Sequence, residues 1–462
     1  MTMKKFLKLL LIAVIFTGCD ALKFDDDINV SPNSPSQASG PQLTANAMLY
    51  LSQLSGSTQG LQGQFAAQYL SETQYVVASL YPQGGTSFYG FYQGPLINLE
   101  TVINTTTSNN QKAVAKILKA YYMWHVTDRW GDVPFSEALK GAENFTPSYD
   151  TQEAIYDGLF ALLNEAVGLI ESGSITSDVI YNGDMTKWRK FANTVRMLMA
   201  LRLSEVSPQK AQTEFNNALN AGIMASNADN FTFRHLADAN NQSYWHGQIV
   251  VMGREWWALS KTLVDLMKPY NDPRLPVYGD PSRNGGEYNG LPIGTAPAGA
   301  NTEDYSLLGS YAKQQNATLH IVTYAQALFA KAEAASRGWI SEDAATNYNA
   351  AITQSIAQWT GSTDAAAAYL AQDGVAYSSA RALEQIATQR YIHLFMNGFE
   401  GWAEYRRTGY PAMALSAGAA VPNRMSYVAT ESFNNSNNYN AAVQRQFGGT
   451  DDIYGKVWWD KN

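Results

Sequence analysis

The chain has 462 residues, enough for one large core or for two to three ordinary domains. Hydrophobic residues make up 45% and charged residues 16%, a composition that indicates a globular protein and excludes an intrinsically disordered one. The formal net charge of −8 argues against nucleic acid as a partner, because an acidic surface repels phosphate backbones.

The first 18 residues have the pattern of a bacterial lipoprotein signal peptide. Three lysines precede an apolar run at residues 9–16, which is too short to cross a bilayer. Cys19, the only cysteine of the chain, follows Thr-Gly as in a lipobox, although Phe16 stands where Leu is more usual. We therefore predict that Cys19 is lipidated and that several acyl chains anchor the protein. The alternative is an ordinary secretory peptide with an incidental cysteine. Removal of residues 1–18 would change the net charge from −8 to −11.

A tether is predicted for residues 19–40. This segment contains three consecutive aspartates, residues 25–27, and then a stretch rich in serine and proline. Three adjacent carboxylates lack the spaced ligands of a calcium loop, so we interpret them as part of a solvated linker. With a single cysteine, the chain has neither an internal disulfide nor a thiolate metal site. We expect no metal and no cofactor.

Helical periodicity dominates residues 41–462, which we interpret as a single, mostly α-helical domain with long loop insertions and little β-structure. The clearest helix spans residues 111–126, where apolar side chains recur on one face and lysines lie off it, before Gly131 and Pro134 end it. Strands are predicted only near residues 230–233 and 249–251. The predicted helices are 41–54, 60–79, 91–106, 111–126, 151–172, 185–205, 208–221, 255–268, 319–336, 341–359 and 380–396.

Aromatic residues in loops rich in Gly and Asn are the best binding candidates. A sugar has apolar C–H faces that stack on flat rings, while amide, carboxylate and guanidinium groups bond its hydroxyls. Asn240, Asn241, Gln242 and Arg254 are possible polar partners. The candidate rings form three groups in the sequence: Tyr75, Tyr81, Phe88 and Tyr89; Tyr244 and Trp245; and Tyr288 and Tyr305.

Several motifs, in order along the chain, resemble those of the SusD/RagB family of outer-membrane nutrient-binding lipoproteins. The first contains Asp128-Arg129-Trp130-Gly131-Asp132, and its aromatic and charged residues are interpreted as a structural corner. In the later motif at residues 397–411, we expect Glu400, Glu404, Arg406 and Arg407 to form ion pairs. The matching segments are residues 127–138, 271–278, 332–339, 397–411 and 457–460.

The resemblance implies a scaffold of tetratricopeptide-like helix pairs in a surface-exposed, lipid-anchored protein of a Bacteroidetes-type outer membrane. It also implies a SusC-like TonB-dependent transporter as partner and a glycan, or in some members a peptide, as ligand. Family members are not enzymes, and the sequence contains neither a His-Glu-x-x-His motif nor a Gly-x-Ser-x-Gly elbow. The leading hypothesis is a glycan-binding lipoprotein. Peptide binding, or a transporter lid with little ligand affinity, are the alternatives.

Overall fold

The computed structural model describes residues 38–294 and 300–462. Cys19 and most of the predicted tether lie outside these ranges. We number the helices of seven or more residues in chain order. They are α1 Gly40–Leu49, α2 Thr58–Ala66, α3 Ile97–Thr105, α4 Asn109–Trp130, α5 Gln152–Leu169, α6 Met185–Arg202, α7 Pro208–Asn220, α8 Lys261–Met267, α9 Tyr324–Ser336, α10 Ala344–Thr360, α11 Ala382–His393, α12 Gly398–Thr408 and α13 Ser436–Phe447.

Two small antiparallel sheets and several short helical turns complete the described part of the chain. Strand β1 pairs with β3, and β2 pairs with β4. The strands are β1 Leu70–Glu72, β2 Phe231–Arg234, β3 Trp257–Leu259 and β4 Thr318–Val322. The short turns are Tyr50–Leu54, Ala78–Leu80, Tyr89–Phe91, Tyr92–Leu96, Gly141–Glu143, Asn227–Asp229, Tyr244–His246, Gly247–Val251, Lys268–Tyr270, Leu275–Tyr278, Thr302–Asp304, Ser310–Lys313, Ala366–Leu370, Ser379–Arg381 and Glu431–Asn434.

The predicted fold class is confirmed, because sequential helices pack in pairs and strands are few. The main pairs are α4 with α5, α6 with α7 and α9 with α10.

Polar caps define where three of these helices begin. The side chains of Thr151, Asp184 and Asp343 accept hydrogen bonds from backbone amides in the first turns of α5, α6 and α10. One member of each of the three helix pairs thus begins at a polar cap residue.

Helix α4 is the centre of the core. The sequence predicts an amphipathic helix, but nineteen of its 22 residues are buried, so neighbours cover every face. Even Lys116 is buried, and its ammonium bonds Glu165 of α5 at 2.6 Å. The helix ends as predicted at Gly131, whose φ of +84° is costly for any residue with a side chain.

Three predicted helices are partly wrong, each because a short strand occupies one end. The segment 60–79 leaves the helix after Ala66 and forms β1, while 255–268 and 319–336 begin as β3 and β4. These strands are only three to five residues long. Such short apolar runs do not show whether their period is two or 3.6, so tertiary pairing decides. The strand predicted near 230–233 is confirmed as β2. The one predicted near 249–251 is wrong, because those residues form a helical turn.

Two helices were not predicted, α12 and α13. Helix α12 contains Gly398 and Gly401, which lower helix propensity. Packing explains both glycines, because a Cβ at Gly398 would lie 2.3 Å from the backbone of Gly63, and one at Gly401 would lie 2.3 Å from the Tyr69 hydroxyl. Close approach of α2 and the segment after it to α12 therefore outweighs propensity.

A network of buried charges joins α6, α9, α11 and α12. We call Arg202, Arg390, Arg407, Glu333, Glu400 and Glu404 the buried charge network. Arg202 bonds Glu400 at 2.7 Å and Glu404 at 2.8 Å, while Arg407 bonds Glu333 at 2.6 Å and Glu404 at 2.8 Å. The ion pairs predicted for residues 400, 404 and 407 are confirmed.

Arg406 departs from that prediction. Its guanidinium donates to the backbone oxygens of Asp128 and Asn423 at 2.9 Å and lies 3.8 Å from the Trp402 ring centroid. Burial lowers the pKa of Arg406 to about 10. Arg406 therefore holds the corner through hydrogen bonds and ring stacking, and it forms no ion pair with a carboxylate within the described residues.

Candidate functional site

The β1–β3 ladder brings together two loops that are far apart in the sequence. Its register pairs Leu70 with Leu259 and Glu72 with Trp257. The pairing continues beyond β1, because the Thr73 amide donates to the Trp256 carbonyl at 2.9 Å. Residues 73–79 and 254–256 therefore leave the ladder at the same end.

The first loop is held by one buried carboxylate. Glu72 accepts hydrogen bonds from the amides of Val77 and Ser79, both at 3.0 Å, and from the Ser79 hydroxyl at 2.7 Å. The turn so formed places Tyr75 at φ +55°, a strained conformation for a residue with a side chain. Tyr75 is 71% exposed, so the strain presents an aromatic ring to solvent.

The second loop provides a tryptophan and a cation beside that ring. Tyr75 and Trp256 meet edge to face with centroids 5.0 Å apart, and the Arg254 guanidinium lies 4.1 Å from the Trp256 centroid. Gln248 accepts a hydrogen bond from Arg254 and so fixes the guanidinium. We call Tyr75, Arg254 and Trp256 the aromatic platform. All three side chains are at least partly exposed.

The second predicted group, Tyr244 and Trp245, lies next to this platform. Tyr244 is half-buried, and burial raises its pKa while the nearby Arg254 charge opposes the rise. Trp245 is 3% exposed and packs edge-on against Trp257, with centroids 5.5 Å apart. Tyr244 thus lies near Arg254 of the platform, whereas Trp245 lies in the core beside Trp257.

A cavity of about 270 Å³ with both apolar and charged walls adjoins the platform at Arg254 and Trp257. Its walls carry Arg283, which bonds Glu255 and, at 2.6 Å, Glu303. Hydrogen bonding with Arg283 holds the pKa of Glu255 below its usual value. The cavity therefore keeps fixed donors and acceptors next to the rings. Such a combination of flat apolar faces and fixed polar groups suits a sugar.

The remaining rings of the first group do not reach the platform. Tyr81 is 6% exposed and donates to the Phe65 carbonyl at 3.2 Å, and Phe88 is 3% exposed against Trp130. Tyr89 donates to Glu431. Tyr81 and Phe88 are thus part of the core, and the Tyr89 hydroxyl is engaged within the protein.

The third predicted group lies beyond the cavity. Tyr288 is partly buried against the edge of the core, and its carbonyl accepts from Lys268 at 3.0 Å. Tyr305 is partly exposed and follows a turn in which Thr302 bonds Glu255 at 3.0 Å. Among the described residues, neither ring stacks on Tyr75 or Trp256.

Trp256, which lies between Tyr75 and Arg254 in the candidate site, was not among the residues predicted from the sequence, whereas Arg254 was. The signal was present in the pair Trp256 and Trp257, because neighbouring residues at a strand point to opposite faces. One of two consecutive tryptophans at a sheet edge is therefore expected to face outwards. Here Trp257 is 6% exposed and Trp256 is the outer ring.

Comparison with known proteins identifies the family. The family model described as SusD-like, starch-binding and associating with the outer membrane matches residues 32–428. The chain belongs to the SusD-like family. Its members are binding proteins rather than enzymes and are associated with the outer membrane. The resemblance predicted from the sequence motifs is therefore confirmed.

Solved structures of similar fold cover almost the whole length of this chain. A chitin-binding protein shares 30% identity with a TM-score of 0.82, over 92% of this chain and all of the other. A chitin-binding SusD homologue from Flavobacterium johnsoniae shares 26% identity with a TM-score of 0.81, over 91% of this chain and 99% of that one. A SusD homologue from Bacteroides fragilis shares 27% identity with a TM-score of 0.82, over 92% and 100%.

No protein of curated function matches the chain significantly. Among the described residues, no helix is long and apolar enough to span a bilayer.

Proposed function

We propose that this protein binds oligosaccharide or polysaccharide at the cell surface through the aromatic platform. The carrying observation is the exposed, strained Tyr75 beside Trp256 and Arg254, next to a cavity with fixed polar groups. The rings offer faces to the C–H surfaces of a sugar, and Arg254 and the cavity wall offer hydrogen bonds to its hydroxyls. Carbohydrate binding within the SusD-like family supports this assignment.

The proposal includes the location and the partner of the protein. Residues 1–18 are a lipoprotein signal peptide, residues 19–40 a tether lipidated at Cys19, and residues 41–462 the SusD-like domain. The anchored domain delivers captured glycan to a SusC-like TonB-dependent transporter. A Cys19→Ser variant should move from the outer-membrane fraction to the soluble fraction on cell fractionation. A variant that stays in the membrane would contradict lipidation at this residue.

Chitin is the first ligand to test. Two of the similar structures are chitin-binding proteins. A chitin chain presents flat pyranose faces that suit edge-to-face and stacked rings. Isothermal titration calorimetry with chitin oligosaccharides, alongside affinity electrophoresis on a panel of polysaccharides, should give saturable binding to at least one glycan. No binding to any glycan of the panel would contradict the proposal.

Substitution of the platform locates the site. Trp256→Ala should weaken glycan binding by about 2 kcal/mol, roughly 30-fold, because a central aromatic contact is lost. Tyr454→Ala is the matched control, since Tyr454 is 39% exposed and takes no part in the platform. Equal affinities of the two variants would place the site elsewhere.

The same variants separate glycan binding from the two alternatives. If peptides rather than glycans bind, and Trp256→Ala weakens them, the ligand class is corrected while the site stands. If neither class binds and cells carrying Trp256→Ala import glycan normally, the protein serves the transporter as a lid. Uptake that falls together with affinity is the result expected for a glycan receptor.

A further inference from the structure

Among the described residues, Arg254 is the one charged side chain of the cavity beside the aromatic platform that has no partner of opposite charge. Four other charged side chains line this cavity. Arg283 is paired with Glu255, and Lys313 is paired with Asp280, so each of these four already has an opposite charge in contact. The positive charge of Arg254 is therefore uncompensated at the proposed glycan site.

The free atoms of the Arg254 guanidinium are accessible to solvent. Its Nη1 donates to Gln248, while Nε and Nη2 have no hydrogen-bond partner in the described part of the chain. Arg254 is partly exposed, and neither atom is enclosed by protein, unlike the unpartnered nitrogens of Arg129 and Arg424 in the interior. A ligand at the platform can therefore reach both atoms without breaking a hydrogen bond within the protein.

These two atoms form the edge of the guanidinium that suits an oxyanion. The N–H groups of Nε and Nη2 are parallel, and they match two oxygens of a group such as a carboxylate. Hydrogen bonds to a charged acceptor are roughly twice as strong as those between neutral groups. The free edge of Arg254 therefore favours an anionic substituent over a neutral hydroxyl.

Arg254 is held in place before a ligand arrives. Its guanidinium lies 4.1 Å from the centroid of the Trp256 ring. Gln248 contacts the residue twice, because its Oε1 accepts from Nη1 and its carbonyl accepts from the Arg254 amide at 3.0 Å. A long side chain that is already ordered loses less conformational entropy on binding, so more of the interaction contributes to affinity.

One sugar unit can contact both an aromatic ring and this cation. Tyr75 and Arg254 both pack on Trp256, since the Tyr75 centroid lies 5.0 Å and the guanidinium 4.1 Å from the Trp256 centroid. The Tyr75 side chain is largely exposed, which leaves it available to the apolar face of a sugar. A sugar ring against Tyr75 thus has a substituent within reach of the free edge of Arg254.

The charge of the protein limits the ligand to few anionic groups. The formal net charge of −8 disfavours a polyanion. The attraction of Arg254 is local, because exposed charges more than about 8–10 Å apart are largely screened at physiological ionic strength. One uncompensated cation therefore matches one negative charge in an otherwise neutral chain.

We propose that the aromatic platform selects a glycan with a single acidic sugar unit, whose carboxylate or sulfate binds the free edge of Arg254. The ring of that unit lies against Tyr75. This inference rests on the proposed function, because it concerns the same site, and it adds the charge of the ligand.

Matched pairs of oligosaccharides test the preference for an anion. Glucuronosyl-xylotriose differs from its carboxyl-reduced form only in a carboxylate, and chitotriose with one sulfate differs from plain chitotriose only in the sulfate. In calorimetry with the purified protein, at least one acidic member should bind more than about tenfold tighter than its neutral partner. The responding pair identifies the anion as carboxylate or sulfate. Equal affinities within both pairs, or no saturable binding of either acidic member, would overturn the proposal.

Two variants of Arg254 locate the anion. Arg254→Met removes the charge and keeps an apolar stem, so the ratio of affinities within the responding pair should fall to about one. Arg254→Lys keeps the charge but loses the planar edge, so a smaller ratio than in the unmodified protein should remain. The melting temperature of each variant shows whether it is folded. A ratio that survives in folded Arg254→Met would place the anion elsewhere and refute the proposal.

Arg234→Met is the matched control. Arg234 is exposed at the end of β2, lies outside the platform and likewise has no carboxylate partner among the described residues. Its removal should leave the ratio of affinities unchanged. A ratio that falls equally in Arg234→Met and Arg254→Met would show that overall charge, and not the platform, determines the preference.

The outcomes separate this inference from the proposed function. Saturable binding of neutral oligosaccharides without any gain from an anionic group would leave glycan binding intact and refute the role of Arg254. If no glycan binds, neutral or acidic, the proposed function itself is wrong. High sodium chloride concentration should reduce the preference for the acidic member, because salt screens exposed charges. A preference that does not respond to salt would contradict binding of an anion to this exposed guanidinium.

Discussion

The buried charge network and the aromatic platform are built on opposite principles. The network consists of side chains that are almost fully buried, and each carboxylate is paired with at least one arginine. The platform consists of side chains left partly in water, including a tyrosine in a strained backbone conformation. The first arrangement stabilises a corner between four helices. The second keeps surface available for a ligand and tolerates backbone strain to do so.

The contrast teaches where function can be sought in such a scaffold. The charged and aromatic residues around Asp128 and Glu404 look like an active site in the sequence. In the structure, however, Asp128 is paired with Arg202 and Glu404 with Arg407. The side chains that remain available to a ligand lie in the irregular loops at the end of the three-residue β1–β3 ladder. Substitutions in the two regions should therefore separate loss of stability from loss of binding.

The largest effect is expected for Arg202→Met. This change leaves Asp128, Glu400 and Glu404 buried with fewer partners, and removal of one member of a buried ion pair costs about 3–5 kcal/mol. Urea denaturation at neutral pH measures the loss. The control is Arg283→Met, an exposed arginine with two carboxylate partners, for which about 0–1 kcal/mol is expected. Similar losses in both variants would remove the distinction between the regions.

Two tyrosines with almost the same backbone conformation sharpen the comparison. Tyr81 and Tyr75 have φ of +54° and +55°, but only Tyr81 is buried. Tyr81→Gly should cost about 3 kcal/mol or more, because a buried ring is lost. Tyr75→Gly should change stability by less than about 1 kcal/mol, since relief of strain offsets the flexibility of glycine.

For glycan affinity, unlike for stability, the larger effect is expected at Tyr75. Tyr75→Gly is expected to weaken binding about tenfold, as measured by calorimetry, because it removes one ring of the platform. Tyr75→Gly protein that is markedly unstable, or that binds normally, would show that Tyr75 serves the fold rather than the ligand.

The pH dependence of stability should follow from the pKa shifts of the glutamates in the buried charge network. Burial acts to raise the pKa of Glu333, but Arg407 outweighs it and holds that pKa below its usual value. The unfolded state then binds more protons, so the stabilisation by Glu333 is present above about pH 4.3 and is lost as the pH falls further. Glu404 acts in the same sense because its arginine partners outweigh burial, while Glu400 acts in the opposite sense because burial raises its pKa.

The contribution of Glu333 is isolated by Glu333→Gln. Between pH 6 and pH 3.5, the free energy of unfolding should fall less steeply in this variant than in the unmodified protein. Denaturant titrations at several pH values measure both slopes. A steeper slope in the variant would contradict the assigned direction of the shift.

The smallest effect is expected for Tyr288→Ala. Tyr288 lies at the edge of the core and is not among the rings that stack on Tyr75 or Trp256. Glycan affinity should stay within about twofold of the unmodified protein, because truncation of contacts outside the central pocket costs little. A tenfold loss would extend the binding surface across the cavity to this loop.

The sequence allowed the helical scaffold to be predicted because helices carry their own signals. The N-cap at Asp184, the stop at Gly131 and the apolar spacing of α5 all act within a few residues. The predictions failed where distant partners decide. Strands β1 and β3 are too short to show a period, and Gly401 weakens the pattern of α12 for a packing reason that only Tyr69 reveals.

The candidate site could be predicted only in outline. Of the predicted rings, Tyr75 is part of the platform and Tyr244 lies near Arg254, and their role in binding stays a prediction. Burial removed Phe88 and Trp245 from the surface, and no local pattern distinguishes a loop ring that packs inwards from one that faces solvent. The pair Trp256 and Trp257 indicated one outward ring, but the position of Trp256 beside Tyr75 follows only from the long-range pairing of Glu72 with Trp257. The lipid anchor and the transporter partner remain predictions.

The β1–β3 ladder also makes the platform modular. Its pairing rests mainly on backbone hydrogen bonds, including the one from the Ser260 amide to the Tyr69 carbonyl at 3.0 Å, and the Thr73 hydroxyl adds a bond to the Glu255 carbonyl. Exchange of residues 74–78, which keeps Thr73 and its bonds to the partner strand, therefore replaces one half of the proposed binding surface and leaves the other half in place. New ligand preferences can thus arise by changing one loop at a time, while the helices beneath keep the architecture that the whole family shares.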